Sequence, residues 1–467
     1  MLTSFRVKNF KSLADTGELE LRPLTLLIGP NSSGKSSLLQ ALLMVKQTMW
    51  SRDPENPLAL DGPYTSLPPF PDLIFSKDTA RALEFSLRMN IQARWLPPSA
   101  TTEQKASGRL SVETRFRPEA QAMYRSRVSG ELAGLAAGDR ELVSLAWTQA
   151  TALDGSTRVT VRVDDHEVPL LVDVANFRAL GQSPWAFVPM HYLAKAPPAG
   201  AATGVAKKAW EALERYGYLL PQAMMNSLGE GLFYIGPLRE SPHRYYEMSG
   251  EVPQDVGLKG ERTVMVLRRA GRAPRDSQGV VSQVDRWFVE LGIAARVQID
   301  ILTHPLYRVT VHDPHTGVAV NLADVGFGAS QVLPVIVQGY FQPQGSMLLL
   351  EQPEIHLHAR SQAILGDILM DIARQGRRLV VETHSQHMIT RVQRRVAEGA
   401  FSRSDLALYY FEPTPGGTKI RDLQLDERGQ FVPETLPAGF FMELYEDSSK
   451  LFDAAAARPR GTVGSAR

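Results

Sequence analysis

The sequence predicts an α/β fold, and three features of the chain support this prediction. Leu24–Ile28 is a short apolar run, which is the pattern of a strand buried on both faces. Apolar residues then recur at helical spacing between residues 38 and 45. Much later, residues 347–350 and 378–382 form two further strand-like runs with a helical stretch between them. Strands that alternate with helices are typical of a parallel sheet covered by helices.

A glycine-bounded loop with the pattern Gly29-x-x-x-x-Gly34-Lys35-Ser36 lies between the predicted strand Leu24–Ile28 and the helix that follows it. Glycine has no Cβ, so the backbone can wrap around phosphate oxygens, and the helix N-terminus attracts the anion. Lys35 would reach the β- and γ-phosphates of ATP, and Ser36 would place its hydroxyl on Mg²⁺. A glycine-rich turn is the alternative, but the flanking strand and helix favour a P-loop. The predicted nucleotide-binding residues are Gly29, Pro30, Asn31, Ser32, Ser33, Gly34, Lys35, Ser36 and Ser37.

The amino-acid composition excludes only a few classes of function. The 467 residues carry a net charge of +1 and are 43% hydrophobic, which gives no general attraction to nucleic acid or membrane. The absence of cysteine excludes disulfides, thiolate zinc sites and a cysteine nucleophile. No signal-peptide pattern opens the chain, and no apolar stretch approaches about 18 residues. We therefore expect a cytoplasmic protein with no membrane partner.

Outside the segments described above, the sequence shows further strand, helix and turn signals. Residues 5–10 and 17–21 alternate like strands, and residues 81–172 favour several short strands separated by glycine and proline. Further predicted elements are a connector at 197–204, helices at 207–220 and 281–291, a hairpin at 296–320, strands at 406–411 and 419–425, and a helix at 439–455. The last residues, 457–467, lack an apolar pattern and are expected to be disordered.

The predicted strands at 347–350 and 378–382 are both followed by polar side chains of the kinds that bind ligands or catalyse reactions. The strand at 347–350 ends in Glu351-Gln352-Pro-Glu354, and the strand at 378–382 is followed by Thr-His384-Ser. Ligands of open α/β sheets bind at the carboxyl ends of parallel strands. We therefore expect these side chains to meet the P-loop. The His-x-His pair at 356 and 358 suggests a metal site, but no further ligand shows suitable spacing, and a loop role is favoured.

These motifs resemble a known family. Asn-Phe-Lys at 9–11, the P-loop, Glu-Gln-Pro-Glu-Ile-His-Leu-His at 351–358 and Thr-His-Ser at 383–385 are similar to ABC-type AAA ATPases related to SMC and RecF proteins. The branch they most resemble has a C-terminal domain of unknown function and includes ATPase subunits of Septu-type anti-phage systems. The resemblance implies a P-loop NTPase fold, namely an ABC/SMC-type ATPase head with a β-rich insertion and a small C-terminal α+β cap. It is weakest over residues 90–230.

The implied domain boundaries follow the motifs. Residues 1–80 would form the N-terminal part of the ATPase head, and residues 81–230 a β-rich and helical insertion. Residues 231–402 would complete the head, residues 403–456 would form the small C-terminal domain, and residues 457–467 the tail.

The resemblance also implies that two subunits dock head to tail, with each ATP between one P-loop and the partner's signature loop. Residues 324–331 match that loop, so Gly326, Gly328 and Ser330 are expected to contact nucleotide. Gly326 occupies the place of the family's usual serine, for which Ser330 would substitute. A helix that begins near residue 329 would aim its N-terminus at the partner's γ-phosphate.

The same resemblance assigns roles at the end of the strand at 347–350, which matches the family's Walker B strand. Glu351 stands where an aspartate usually meets Mg²⁺, so Ser36 and Glu351 are the expected metal ligands. Gln352 replaces the usual catalytic glutamate; it can orient water but is no base, and Glu354 would compensate. His384 matches the switch histidine that senses the γ-phosphate, with a capping histidine as the alternative. Slow hydrolysis follows, with ATP acting mainly as a dimerising switch.

The predicted function is that of an ATPase in prokaryotic anti-phage defence or DNA maintenance. The alternative is a non-hydrolysing ATP-dependent scaffold for a separately encoded effector nuclease. An ABC transporter subunit is disfavoured because about 290 residues separate P-loop and signature, which exceeds a typical domain. A nuclease of the overcoming-lysogenization-defect type would need a metal-binding domain after the His384 strand. Only about 80 residues follow that strand here, without a clustered acidic set, and a typical domain is larger, so nuclease activity is expected in a partner.

DNA binding remains open at this stage. Arg239 would contact a phosphate or a subunit partner, or form an ordinary surface salt bridge. The basic clusters that are candidates for DNA contain Arg374, Arg377 and Arg378; Arg391, Arg394 and Arg395; and Arg268, Arg269, Arg272 and Arg275. Such clusters are more often solvated faces than nucleic-acid grooves.

Overall fold

A six-stranded sheet carries the P-loop. The computed structural model describes residues 1–51, 58–95, 104–119, 122–137, 140–151, 157–163, 166–172, 223–247, 252–272, 279–303 and 305–437. Helices α1 to α7 span Lys35–Trp50, Phe70–Leu73, Thr263–Arg272, Val280–Glu290, Phe327–Phe341, Ala359–Arg374 and Gln386–Ala397. Strands β1 to β10 span Leu2–Phe10, Leu13–Asp15, Leu19–Glu20, Leu24–Ile28, Leu83–Trp95, Gln104–Glu119, Ala122–Ala137, Arg140–Thr151, Thr157–Val163 and His166–Val172. Strands β11 to β19 span Leu232–Ile235, Tyr246–Glu247, Arg296–Thr303, Leu306–His312, Ala319–Asn321, Met347–Glu351, Arg378–Glu382, Leu406–Thr414 and Gly417–Leu423.

The six-stranded sheet that carries the P-loop has the strand order β11-β16-β17-β4-β18-β19. The first five strands run parallel to their neighbours, and β19 closes the edge antiparallel to β18. The predicted α/β fold is therefore confirmed. The order also shows that β17 lies between the P-loop strand β4 and the strand β16 that ends in Glu351.

Both faces of the six-stranded sheet are covered. Successive side chains of a strand point to opposite faces, so neighbouring residues of one strand enter different cores. Leu27 of β4 belongs to a core with α1 and β1, whereas Leu26 belongs to a second core with α5, α6 and α7. All five residues of β4 are buried. The two cores explain why this strand reads as a continuous apolar run.

The β-rich segment forms a second, antiparallel sheet. Its order is β10-β9-β8-β7-β6-β5-β1-β2, with β3 also paired to β1. The strands expected over residues 81–172 are present as β5 to β10, and several of them are longer than the short strands that the sequence indicates. The insertion thus continues from the N-terminal strand, with Phe5 opposite Leu87.

A third, smaller sheet has the order β12-β14-β13, with β15 also paired to β14. It contains the predicted hairpin, in which Val297 of β13 faces Val311 of β14. The predicted helix at 281–291 corresponds to α4. This sheet leads through β15 into the predicted signature loop.

The two C-terminal strands are also present, and they belong to the P-loop sheet. Leu408 of β18 pairs with Leu26 of β4, so these strands widen the six-stranded sheet up to Leu423. A separate unit over residues 403–456 stays a prediction, because residues 438–467 lie outside the described residues. The predicted connector at 197–204, the helix at 207–220 and the tail at 457–467 also lie outside them. Within the described part of the chain, no helix is long and apolar enough to cross a membrane.

Candidate functional site

The P-loop joins the carboxyl end of β4 to α1. Gly29 has a φ of 146° and Gly34 a φ of 100°, and both values disfavour residues that carry a Cβ. A Cβ at Gly29 would lie 2.5 Å from the carbonyl oxygen of Phe411, and one at Gly34 would lie 2.7 Å from Ser12 Oγ. Glycine is therefore required at both ends of the loop.

Lys35 lies beneath this loop and is 2% exposed. Its Nζ donates hydrogen bonds to the carbonyl oxygens of Gly29 at 3.0 Å and Pro30 at 2.7 Å. Burial lowers the pKa of Lys35, while the charges of Glu382 and Glu354 act in the opposite direction. The amine is thus held at the loop with carboxylates nearby.

Ser36 Oγ donates a hydrogen bond of 2.8 Å to Glu382 Oε2, at the end of β17. Burial raises the pKa of Glu382, and the Ser36 hydrogen bond and the Lys35 charge oppose this shift. Sequence reasoning gave Glu382 no role. The available signal was an acidic residue at the end of an otherwise apolar strand.

Glu351 ends β16 and pairs in register with Glu382 on the neighbouring strand. Its Oε1 accepts a hydrogen bond of 2.8 Å from the Tyr234 hydroxyl on β11. Burial raises the pKa of Glu351 to about 7, opposed by the Tyr234 hydrogen bond and supported by the charge of Glu382. The segment from Tyr234 to Arg239 also resembles the family, but the sequence gave Tyr234 no role, because its contact with Glu351 joins two neighbouring strands that are far apart in sequence.

Ser36, Glu351 and Glu382 supply hydroxyl and carboxylate oxygens, which are the ligands that Mg²⁺ prefers. The residues present therefore fit this ion. Among the described residues, no group of three or more His, Cys, Asp or Glu side chains is arranged to hold a metal by itself. A nucleotide-bound Mg²⁺ ion does not require such a cage, because phosphates and waters complete its coordination.

The turn after β16 holds the predicted water-positioning residues. Gln352 has a φ of 43°, an uncommon value for a residue with a side chain, and its N–H donates to the carbonyl oxygen of Glu382 at 2.8 Å. Glu354 is 6% exposed, and its Oε1 accepts a hydrogen bond of 2.7 Å from the His384 N–H. Burial raises the pKa of Glu354. The turn is thus tied to β17 at two points.

Arg239 braces the same turn. It is 7% exposed and donates to the carbonyl oxygens of Glu351 at 3.2 Å and Pro353 at 3.4 Å. Burial lowers the pKa of Arg239 to about 10, and the Glu354 charge opposes this shift. The surface salt bridge considered from the sequence is therefore wrong. Arg239 supports the backbone from inside.

His384 is exposed at the edge where β17 ends, two residues after Glu382. Partial burial and the positive charge of Lys35 lower the pKa of His384. The structure thus brings this histidine into electrostatic range of the P-loop lysine. Its sensing role stays a prediction.

The predicted signature loop leads into α5. Gly326 is exposed and precedes the helix, which begins at Phe327 rather than near residue 329. A Cβ at Gly328 would lie 3.3 Å from a Leu357 methyl group. Ser330 is 6% exposed. The end of the helix that a second molecule can reach is therefore the one at Gly326.

Most arginines of the predicted basic clusters have local partners. Arg377 is buried and donates to two backbone carbonyls, of Gln342 and Tyr340. Arg391 and Arg395 both bind Asp367, at 2.6 and 2.7 Å. Further partners are the Pro253 carbonyl for Arg269, the Ala400 carbonyl for Arg374 and the Glu398 carboxylate for Arg394. These arginine side chains therefore contact the protein's own backbone and carboxylates.

Two segments of the chain match models of ATPase domains. Residues 1–92 match the AAA ATPase domain. Residues 224–389 match a model described as "AAA domain, putative AbiEii toxin, Type IV TA system". The first segment contains the P-loop, and the second contains the carboxylates and His384. Both segments are thus similar to AAA-type ATPase domains, and together they contain the residues gathered at the end of the parallel sheet.

Similarity to individual proteins is more limited. An OLD nuclease from Thermus scotoductus is 44% identical over 50 residues, which is 11% of this chain, and the chain spans 9% of that relative's length. An SMC head domain from Thermotoga maritima is 12% identical, with a TM-score of 0.36 over 91% of this chain and 99% of that one. A SmcHead bound to the C-winged helix domain of ScpA is 10% identical, with a TM-score of 0.41 over 91% and 98%.

Proposed function

We propose that this protein binds ATP with Mg²⁺ at the P-loop, hydrolyses it slowly, and dimerises head to tail around it. The observation that carries this proposal is the meeting of Lys35, Ser36 and three carboxylates at one edge of a parallel sheet. Lys35 and the loop N–H groups would bind the phosphates. Ser36 with the pair Glu351 and Glu382 would hold Mg²⁺, which neutralises phosphate charge when bound.

Slow hydrolysis is supported by the side chains next to the Walker B strand. Gln352 stands at the position of the usual base and can orient water but cannot take its proton. Glu354 is the nearest substitute along the chain, but it is buried and accepts the His384 N–H. The rate would then depend mainly on positioning and charge rather than on a strong base.

The dimer would place the exposed Gly326 end of α5 against the partner's nucleotide, where a helix N-terminus favours negative charge. Gly328 and Ser330 would lie next to this contact, in the first turn of α5. Such an ATP-held dimer suits an ATPase subunit of a prokaryotic anti-phage defence or DNA-maintenance system. Its effector would be a separately encoded protein, and DNA would be a possible trigger.

A non-hydrolysing scaffold is the second candidate, and Gln352 is the observation that favours it. In that case ATP binding alone would hold the dimer and display it to an effector nuclease. The short similarity to an OLD nuclease is consistent with a nuclease-associated system for either candidate.

Steady-state ATP turnover of the purified protein, with and without double-stranded DNA, separates these candidates. The Lys35→Ala variant is the blank, because it removes the buried amine at the loop. Turnover above the blank supports the ATPase, and a rise with DNA supports a DNA-responsive one. Turnover equal to the blank together with tight ATP binding supports the scaffold. Failure of the wild type to bind ATP would overturn both.

A further inference from the structure

The carboxylate beside the P-loop serine belongs to Glu382 rather than to the Walker B residue Glu351. Ser36 Oγ and Glu382 Oε2 are 2.8 Å apart, whereas the hydrogen bond recorded for Glu351 is with Tyr234 on the far side of β16. The carboxylate that contacts the P-loop serine is therefore one for which the sequence gave no assignment.

Strand order explains this arrangement. β17 lies directly beside β4, and Glu382 pairs in register with Leu27, two residues before the P-loop begins. Glu351 pairs with Glu382 from the next strand out, and neighbouring strands lie about 4.8 Å apart. Glu382 is thus one strand closer to Ser36 than Glu351 is.

The observed distance suits two ligands of one ion. Bonds to Mg²⁺ are about 2.0–2.1 Å long and meet at right angles, so neighbouring oxygen ligands lie about 2.9 Å apart. Ser36 Oγ and Glu382 Oε2 already have nearly this separation at 2.8 Å. The cation that acts on Glu382 is Lys35 of the P-loop, so this carboxylate faces the groups that would bind the nucleotide.

We propose that Glu382 is the main carboxylate that holds Mg²⁺ with Ser36, and that Glu351 stands behind it, oriented by Tyr234. This assignment rests on the proposed ATP binding at the P-loop. It makes the acidic residue before Thr383 and His384 a functional part of the site. It also places the metal and the predicted γ-phosphate sensor on the same strand end.

The test measures how strongly Mg²⁺ improves nucleotide binding. A fluorescent ATP analogue is titrated into the full-length protein in EDTA and in Mg²⁺, and the ratio of the two Kd values is compared among variants. Glu382→Gln keeps an oxygen that can accept from Ser36 but removes the charge, and Glu351→Gln is the matched control. Glu382→Gln should lower the ratio by at least about 10-fold, the smallest loss typical of residues that only support a metal ligand, and leave the Kd in EDTA near the wild-type value. Glu351→Gln should lower the ratio clearly less than Glu382→Gln does, because Glu351 stands behind the direct ligand.

Binding of Mn²⁺ in the presence of ATP, followed by electron paramagnetic resonance, gives a second readout that does not depend on turnover. If Glu382→Gln is unstable, Glu382→Asp keeps the charge on a shorter side chain and should lower the ratio in part. An equal or larger loss in Glu351→Gln, or an unchanged ratio in both Glu382 variants, would overturn the assignment. If the wild type binds no ATP in either buffer, the proposed function itself fails, whereas normal ATP binding with an unaffected Glu382→Gln overturns this assignment alone.

Discussion

Thr418 Oγ1 donates a hydrogen bond of 2.8 Å to the carbonyl oxygen of Ser33, across 385 residues of sequence. The N–H of Thr418 also donates to the carbonyl oxygen of Ser12 at 2.8 Å. The β18–β19 hairpin therefore packs against the outer side of the P-loop. Since β18 also pairs with β4, the loop is held by its own sheet and by the hairpin that widens it.

This packing predicts a severe effect of Gly29→Ala. The new methyl group would lie 2.5 Å from the carbonyl oxygen of Phe411, at a φ of 146°. We expect a loss of about 1–3 kcal/mol of stability and much weaker ATP binding. Gly17→Ala is the control, because Gly17 also has a positive φ of 65° but no atom within 4 Å of the added carbon. Equal thermal midpoints and equal ATP affinities for the two variants would contradict the argument.

The parallel sheet and the P-loop could be predicted because their signals are local. A four- or five-residue apolar run bounded by glycine needs no tertiary information, and neither does helical spacing from residue 38 onward. The three-residue strand Leu13–Asp15 was not predicted, since so short a segment carries no periodicity.

The partners within the site could not be predicted, because they depend on strand order. The sequence showed that the strand ends near Glu351 and His384 should meet the P-loop, but not that β17 lies between β16 and β4. The Ser36–Glu382 contact joins residues 346 positions apart, and the Tyr234–Glu351 contact joins residues 117 apart. Neither separation leaves a pattern in a single sequence.

Tyr234→Phe is predicted to destabilise the protein without changing its shape. The variant removes the hydroxyl that donates to Glu351 Oε1 and leaves a largely buried carboxylate without this donor. The expected cost is about 1–3 kcal/mol in the free energy of unfolding. Urea unfolding measures it, with Tyr245→Phe as the control, because Tyr245 is 58% exposed. A midpoint for Tyr234→Phe as high as that of Tyr245→Phe would argue against a structural role for this hydrogen bond.

Gln352→Glu is predicted to raise ATP turnover. It places a carboxylate where the resemblance expects a base, and a positioned base typically contributes about 100-fold or more. Glu354→Gln is the companion variant, since its amide oxygen can still accept the His384 N–H. If Glu354 is the working base, turnover falls in Glu354→Gln. No change or a loss of turnover in Gln352→Glu would show that Gln352 does not limit the reaction.

Asp367→Asn is predicted to weaken the packing of α7 on α6. Asp367 binds Arg391 and Arg395 of α7 at 2.6 and 2.7 Å, and its side chain is 14% exposed. Replacing it removes the carboxylate that joins both arginines to α6 and leaves Arg395 only Glu398 on its own helix, for an expected loss of about 1–3 kcal/mol. Glu398→Gln is the control, because solvent screens this more exposed ion pair and its loss should change stability less. Similar thermal midpoints for the two variants would mean that Asp367 does not hold these helices together.

Lys46 predicts a stability difference that depends on pH. Its side chain is 4% exposed, its Nζ donates to the Gly229 carbonyl and lies 4.8 Å from the centre of the Tyr64 ring. Burial lowers the pKa of Lys46 to about 8, and the charges of Asp255 and Glu230 oppose this shift. In the unfolded chain the amine should keep its ordinary pKa of 10.5. Between these two values the unfolded state binds more protons, so the folded state gains stability as the pH rises.

The Lys46→Met variant has no such proton and isolates this effect. The stability of the wild type relative to Lys46→Met should rise by at most about 3 kcal/mol between pH 7 and pH 10.5. Urea unfolding at several pH values measures the difference, and other titrating groups cancel between the two proteins. Lys259→Met, at an exposed position, should show little change relative to the wild type. A difference that is flat or falls with pH would mean that the Lys46 amine is not held in a buried, charge-disfavouring position.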